Sequence, residues 1–249
     1  MPTEGKKEVK KTSDIDLNIT PEEMAEAGLH LGHQTARTHP KMKPYMYGVK
    51  NKVHIFDLDK TAEKLTEALR FIDDIISQNK TLLLIGTKIQ VKEILKESAE
   101  ECGLPYINER WLGGTFTNFE TIKRRIVHFK DLENQKKTGE LEKYTKKERA
   151  KINKQLKDLE TKFGGIKDMV RLPDAIFVMD MKKDILAVQE AMAKKIPVIA
   201  ITDADVDPDF CDYPIPANDD AINSVKYILD KVKNVVVNAK SKVQSSKAK

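Results

Sequence analysis

Hydrophobic and polar positions follow one another along the chain in blocks that predict strands and helices in turn. The continuous apolar run TLLLIG at 81–86 has the length expected of a strand covered on both faces. Leu65, Leu69 and Ile72 recur at the spacing of a helix with one buried face. Strands and helices that alternate at this spacing predict right-handed crossovers and a three-layer, mostly parallel α/β sheet, flavodoxin-like or Rossmann-like.

Capping residues mark where several of these elements begin and end. Thr20 and Glu23 have the spacing of a capping box and predict a helix that Gly28 ends. Asn218 is the predicted cap of a helix over 218–236. The other predicted strands are 53–57, 104–108, 173–180, 196–203 and the edge strand 213–216, and the other predicted helices are 89–103 and 183–195.

Residues 118–168 break the alternation and predict two consecutive helices of about 20 residues, each about 30 Å long. Thr145 and Glu148 form a second capping box, and Gly164 ends the pair. Each helix carries one apolar stripe, so we expect an antiparallel coiled-coil hairpin inserted into the α/β domain. The stripes are Ile122, Ile126, Phe129 and Leu132 on the first helix and Ile152, Leu156, Leu159 and Phe163 on the second.

These patterns divide the chain into four parts. We expect a flexible arm at 1–18, an α/β domain at 19–117 and 169–232, the hairpin at 118–168, and a basic disordered tail at 233–249.

Composition and charge narrow the class of protein. The chain is 40% apolar and 33% charged, as globular proteins are, and no apolar run is long enough to span a bilayer. Cys102 and Cys211 lack the spacing of a thiolate metal site, and the first residues lack the apolar segment of a signal peptide, so we expect a cytoplasmic protein.

The net charge of +5 is unevenly distributed. Residues 120–170 carry an excess of six basic side chains and residues 230–249 an excess of five, whereas the α/β body is slightly acidic. Two basic segments on an acidic body favour an anionic polymer as partner. Solvated helix faces and a solubilising tail are the alternative.

The sequence gives little support to an enzyme. The turn after TLLLIG contains Gly86 and Lys88 but no phosphate-binding glycine motif, and no G-x-S-x-G motif occurs. Asp203, Asp205 and Asp207 are weak candidates for a divalent cation site, although aspartates that cap turns are commoner. A metal-dependent phosphotransferase that uses these aspartates with Lys88 is therefore the second functional hypothesis.

The stretch 28–48 gathers His30, His33 and His39. Zinc needs three or four ligands, and no cysteine or acidic residue accompanies these histidines locally, so hydrogen bonds that fix the loop are the preferred interpretation. Hydroxyl and aromatic side chains lie between and after the histidines, together with the cations Arg37, Lys41 and Lys43. This mixture of side chains suits binding to RNA. Pro40 and Pro44 are expected to hold this part of the chain extended.

The stretch 108–125 is predicted to connect the body to the hairpin. Trp111 and Phe116 are expected to pack there, and Thr117 or Asn118 to cap the first hairpin helix. Backbone N–H groups of this loop also offer a site for phosphate.

Five segments of the chain closely resemble the bacterial family of small-subunit ribosomal protein two (S2). They are AGLHLGHQTARTHPKMKPYMYG, HIFDLDKT, INERWLGGTFTNFETI, GGIKDMVRLPDAIFVMD and DYPIPANDDAI, and the similarity runs from about 20 to 230. A further set of positions matches the family's second signature: Pro173, Ile176, Phe177, Val178, Asp180, Asp184, Val188, Glu190, Ile196 and Pro197. His39, where relatives often have Asn, and Ala217, in place of a common Gly, depart from the family pattern.

The resemblance implies a structural protein without catalysis or cofactor, located on ribosomes in the cytoplasm. It implies binding to 16S ribosomal RNA at the junction of the head and body of the small subunit, contacts with other small-subunit proteins, and recruitment of the mRNA-binding protein one. No membrane and no small-molecule substrate are expected. By residue type and expected exposure, the candidate phosphate contacts are Arg37, Lys41, Lys43, Lys123, Arg124, Arg125, Lys146, Lys147 and Arg149. An isolated coiled-coil scaffold is a third, less favoured hypothesis.

Overall fold

A five-stranded parallel sheet forms the centre of the molecule in a computed structural model that describes residues 19–247. The predicted arm at 1–18 lies outside the described residues. The sheet strands are β4 (Leu82–Ile85), β5 (Tyr106–Ile107), β6 (Ala175–Val178), β7 (Val198–Thr202) and β8 (Tyr213–Pro216), in the order β5-β4-β6-β7-β8. All four neighbouring pairs are parallel, and β8 is an edge strand as predicted.

Two helical layers cover the sheet, as expected of an α/β fold. One layer consists of α2 (Leu58–Ser77), α3 (Lys92–Cys102) and α7 (Ile222–Lys247), and α1 (Pro21–Glu26) packs against α2. Residues alternate between the faces of a strand, so Leu82 and Leu84 join the core under these helices while Leu83 and Ile85 point to the opposite face. The opposite face is covered by α6 (Ile185–Ala193) and by apolar residues of the insertion.

A second sheet of three antiparallel strands was not predicted. It contains β1 (Leu31–Gln34), β2 (Met46–Lys50) and β3 (Val53–Phe56) in the order β1-β3-β2. The expectation that Pro40 and Pro44 hold this part of the chain extended was wrong, because both lie in a 3-10 helix at Pro40–Tyr45. Pro40 begins the helix, where the fixed φ of proline is suitable, and Pro44 lies inside it.

The insertion contains α4 (Phe119–Lys137) and α5 (Lys146–Phe163), close to the predicted bounds. The Thr145–Glu148 capping box is present, and α5 ends before Gly164 as predicted. The α4 stripe, with Leu156 and Phe163 of α5, belongs to one buried cluster with α6 and the sheet, and Ile152 and Leu159 pack against it partly buried. The knobs-into-holes packing of a coiled coil stays a prediction for this pair.

The tail boundary at 233 was wrong, since α7 continues as a helix to Lys247. Val235, Val236 and Ala239 are buried in the core with α2 and α3, so packing holds the helix beyond the point at which lysines begin to dominate. Lys240 donates to the carbonyl oxygens of Cys102 (2.6 Å) and Gly103 (3.1 Å) at the end of α3.

Candidate nucleic-acid interface

The carboxyl edge of the large sheet, where many α/β enzymes bind ligands, carries a network of ion pairs. The strand order reverses between β4 and β6, which is the position of the ligand crevice in doubly wound folds. Lys88 follows β4, and its Nζ lies 3.1 Å from Asp180 Oδ2, 2.9 Å from Asp219 Oδ1 and 2.7 Å from Asp220 Oδ1. Burial lowers the pKa of Lys88, but these carboxylates outweigh it and raise the pKa overall.

Each of the three candidate metal-binding aspartates contacts a cationic side chain. Asp203 Oδ2 lies 3.0 Å from His33 Nδ1, Asp207 Oδ2 lies 2.8 Å from Lys41 Nζ, and Asp205 pairs with Lys182. Within residues 19–247 no group of three or more His, Cys, Asp or Glu side chains is arranged to hold a metal ion. This region is therefore an ion-pair network that ties loops together.

His33 fixes its loop to the body, as the sequence predicted. Its backbone N–H donates to Asp203 Oδ1 at 3.2 Å and its ring contacts the other oxygen of the same carboxylate. The hydrogen bond to Asp203 raises the pKa of His33 to about 9, although burial opposes it. His30 differs, because its buried Nδ1 has no hydrogen-bond partner in the described structure and its backbone carbonyl accepts from Phe56.

The His33–Asp203 pair predicts a stability that decreases with rising pH. A histidine with a pKa of about 9 when folded and 6.5 when unfolded stabilises the fold fully below about pH 6.5, and the contribution is lost as the pH rises through about 9. Denaturant unfolding at about pH 6, 7.5 and 9.5 is expected to show this loss in the parent chain and not in His33→Gln. The exposed His128→Gln variant is the control and should keep the parent's pH dependence; equal curves for His33→Gln and the parent would contradict the assignment.

The three candidate cations of the N-terminal loop differ in their surroundings. Arg37 and Lys43 are exposed. Lys41 is bound by Asp207 and by Asp209, whose Oδ2 lies 2.6 Å from its Nζ. Lys41 therefore offers less net charge to a phosphate than the other two.

The loop that leads into α4 is organised by Glu190, a residue of α6. Its carboxylate accepts hydrogen bonds from the Trp111 ring (3.1 Å), from the backbone N–H groups of Gly114 (2.7 Å), Phe116 (2.8 Å) and Thr117 (3.0 Å), and from the Thr117 hydroxyl (3.1 Å). Burial raises the pKa of Glu190, but these donors outweigh it and lower the pKa overall. The N–H groups proposed above to bind phosphate are therefore occupied by a carboxylate of the protein itself.

Trp111 and Phe116 pack in this loop as predicted, with ring centroids 4.8 Å apart in an edge-on arrangement. Both are buried, and α4 starts at Phe119. Asn118 occupies the N-cap position but makes no side-chain capping hydrogen bond. Glu190 was singled out only through the family signature, and no local pattern in the sequence indicated its role.

The six hairpin candidates form two groups rather than one. Lys123, Arg124 and Arg125 lie in the first two turns of α4, and both arginines are exposed. The second group, Lys146, Lys147 and Arg149, is exposed at the start of α5. Twelve residues of α4 separate Arg125 from the end of that helix, about 18 Å at 1.5 Å per residue, so the structure does not bring the two groups together.

The fold and these sites define a class of protein: an α/β protein that carries an ion-pair network at the carboxyl edge of its sheet and exposed cations on a loop and a helical insertion. The family model described as Ribosomal protein S2 matches residues 24–239. The chain is also 44% identical over 219 residues to the small ribosomal subunit protein uS2 of Coprothermobacter proteolyticus, which covers 88% of the chain and 82% of that relative.

The chain therefore belongs to the ribosomal protein S2 family. It is a structural protein of the small ribosomal subunit, associated with ribosomes in the cytoplasm, and it is not an enzyme, so the phosphotransferase hypothesis is wrong. In the described part of the chain no helix combines the length and hydropathy of a membrane span.

Proposed function

We propose that this chain binds 16S ribosomal RNA at the junction of the head and body of the small subunit, with its hairpin cations against RNA phosphates. One observation carries the proposal. Arg124 and Arg125 are exposed at the base of an insertion whose apolar stripe is already buried, so their charge faces outward. RNA backbones are bound mainly through such cations.

The charge distribution supports one orientation on the RNA. Asp180, Asp203 and Asp219 lie at the carboxyl edge of the sheet among side chains of this same chain. These carboxylates are buried and paired with Lys88 or His33, whereas the hairpin base presents Lys123, Arg124 and Arg125. Exposed cations attract phosphate more strongly than neutralised ion pairs do, which favours contact through the hairpin.

Recruitment of protein one is the second part of the proposal, and the small antiparallel sheet supports it. Tyr47 is 83% exposed, Val49 56% and Leu31 42%, and these side chains border an apolar groove of about 760 Å³. An exposed apolar face of this kind is typical of a surface that binds another protein rather than RNA. β1 and β2 are also the edges of that sheet, so their outer backbone groups can pair with an added strand.

Reconstitution tests both parts. Small subunits depleted of this chain are mixed with it, and the chain is expected to sediment with them, with log affinity falling by about 0.7 to 0.9 per phosphate contact per unit of log salt. The restored particles are then expected to bind purified protein one, and depleted particles are not. Affinity that does not change with salt would contradict the RNA part, and equal binding of protein one to depleted particles would contradict the second part.

A further inference from the structure

A cleft of about 880 Å³ lies at the amino edge of the large sheet, opposite the ion-pair network. One wall is the segment Gly164–Arg171, which follows the hairpin, and the other is the C-terminal part of α7 around Lys240. The two basic segments of the sequence therefore meet here, although about sixty residues separate them along the chain.

Cations predominate in the lining of the cleft. Four basic side chains and two carboxylates line it: Lys80, Lys167, Arg171 and Lys240, with Glu100 and Asp168. Lys167 pairs with Glu133, and Asp168 pairs with Lys130 at 3.0 Å, so these two lining charges are neutralised. The Nζ of Lys240 bonds two carbonyl oxygens, which leave its charge uncancelled. Arg171 pairs with Asp174 at 3.1 Å, but the guanidinium is largely exposed, and exposed pairs of this kind exchange partners at little cost. Lys80 is exposed at the rim.

Apolar side chains also line the cleft. Tyr106 and Met169 line it, and Val170 is 72% exposed beside them. At Gly165 an added Cβ would lie 2.2 Å from the Tyr106 carbonyl oxygen, so the wall is seated directly on β5. Apolar and cationic side chains in one cleft suit an unpaired nucleotide, whose base can pack on the apolar side chains while its phosphates meet the cations.

We infer that this cleft is a second site for ribosomal RNA. An unpaired stretch of the RNA strand lies in it between the segment Gly164–Arg171 and the C-terminal part of α7. The inference rests on the proposed function, since it takes RNA as the partner. The sequence after Lys240 contains Lys242, Lys247 and Lys249 and no acidic residue. This excess of positive charge favours an anionic partner such as RNA.

Photo-cross-linking in reconstituted small subunits identifies what occupies the cleft. Val170 is replaced by p-benzoylphenylalanine in the full chain, and the exposed Val127 of α4 is replaced in the same way as a reference for the hairpin. We expect both positions to label 16S RNA, at different nucleotides. RNA labelling at position 127 alone would contradict RNA binding in the cleft and leave the proposed function intact. A cross-link from position 170 to a protein, including this chain's own residues 1–18, would have the same meaning. Absence of RNA label at both positions would count against the proposed function as well.

Charge reversal measures the electrostatic contribution of the cleft. Lys80→Glu combined with Arg171→Glu is expected to lower the slope of log affinity against log salt by about 1.4 to 1.8, the value for two lost phosphate contacts. Arg70→Glu with Lys226→Glu makes the same change in charge at exposed helix positions that do not line the cleft, and it should leave the slope unchanged. Circular dichroism establishes that both double variants fold. Equal slopes for the two folded double variants would overturn the site.

Discussion

Replacing Glu190 with alanine is expected to lower the free energy of unfolding by about 3 kcal/mol. The change leaves the Trp111 ring and the N–H groups of Gly114 and Phe116 without their acceptor, and these groups lie in a largely buried loop. Buried donors without partners cost about 1 to 3 kcal/mol each, and partial access of water reduces the sum. Trp111 is the only tryptophan, so its fluorescence reports on this loop directly. Chemical denaturation followed at that signal gives the stability.

Two neighbouring variants separate the hydrogen bonds from general effects on α6. Glu190→Gln keeps one acceptor oxygen and is expected to cost about half as much as alanine. Gln189→Ala changes the adjacent exposed position and should stay within about 0.5 kcal/mol of the parent. Because Glu190 has a lowered pKa, its contribution is present at neutral pH and lost as the pH falls below the usual glutamate value near 4.5. A Glu190→Ala chain as stable as Gln189→Ala would show that the network is not what orients the loop.

Reversing the charges at the hairpin base is expected to weaken binding to depleted small subunits on the order of 100-fold at moderate salt. The variant carries Lys123→Glu, Arg124→Glu and Arg125→Glu, and the loss of three phosphate contacts should reduce the salt slope by about 2.1 to 2.7. These positions are partly or fully exposed on α4 and none belongs to the buried stripe, so the fold is expected to persist. Filter binding over a salt series gives both quantities.

The second hairpin group provides the comparison. Lys146→Glu, Lys147→Glu and Arg149→Glu make the same change in charge at the start of α5, about 18 Å or more along the insertion. If both groups contact RNA, each triple variant is expected to reduce the slope of log affinity against log salt by a similar amount. A variant with all six changes is expected to show the sum of the two reductions. A parent-like slope for the α4 variant would remove Lys123, Arg124 and Arg125 from the interface, whatever the α5 variant does.

Local patterns predicted the large sheet well. The runs at 81–86 and 173–180 became β4 and β6 because continuous apolar segments can only be placed between two helical layers. The Thr145–Glu148 box marked the start of α5 because a cap is decided by residues three positions apart.

Features that depend on distant contacts were not visible in the sequence. The helix α7 passes the predicted boundary at 233 because Val235 and Ala239 pack on distant helices. The small sheet forms because β3 pairs with strands on either side of it, and neither β1 nor β2 has a strong strand pattern of its own. Glu190 lies more than seventy residues from the loop that it organises. Spacing rules cover only neighbours in the chain, so they cannot assign such partners.

A cryo-electron-microscopy map of small subunits that contain this chain shows directly which of its surfaces faces the RNA. We expect Arg124 and Arg125 to face the 16S RNA backbone and the carboxyl edge with Asp180 and Asp219 to face away from phosphate. A map in which the base of α4 faces solvent while that acidic edge lies against RNA would contradict this expectation.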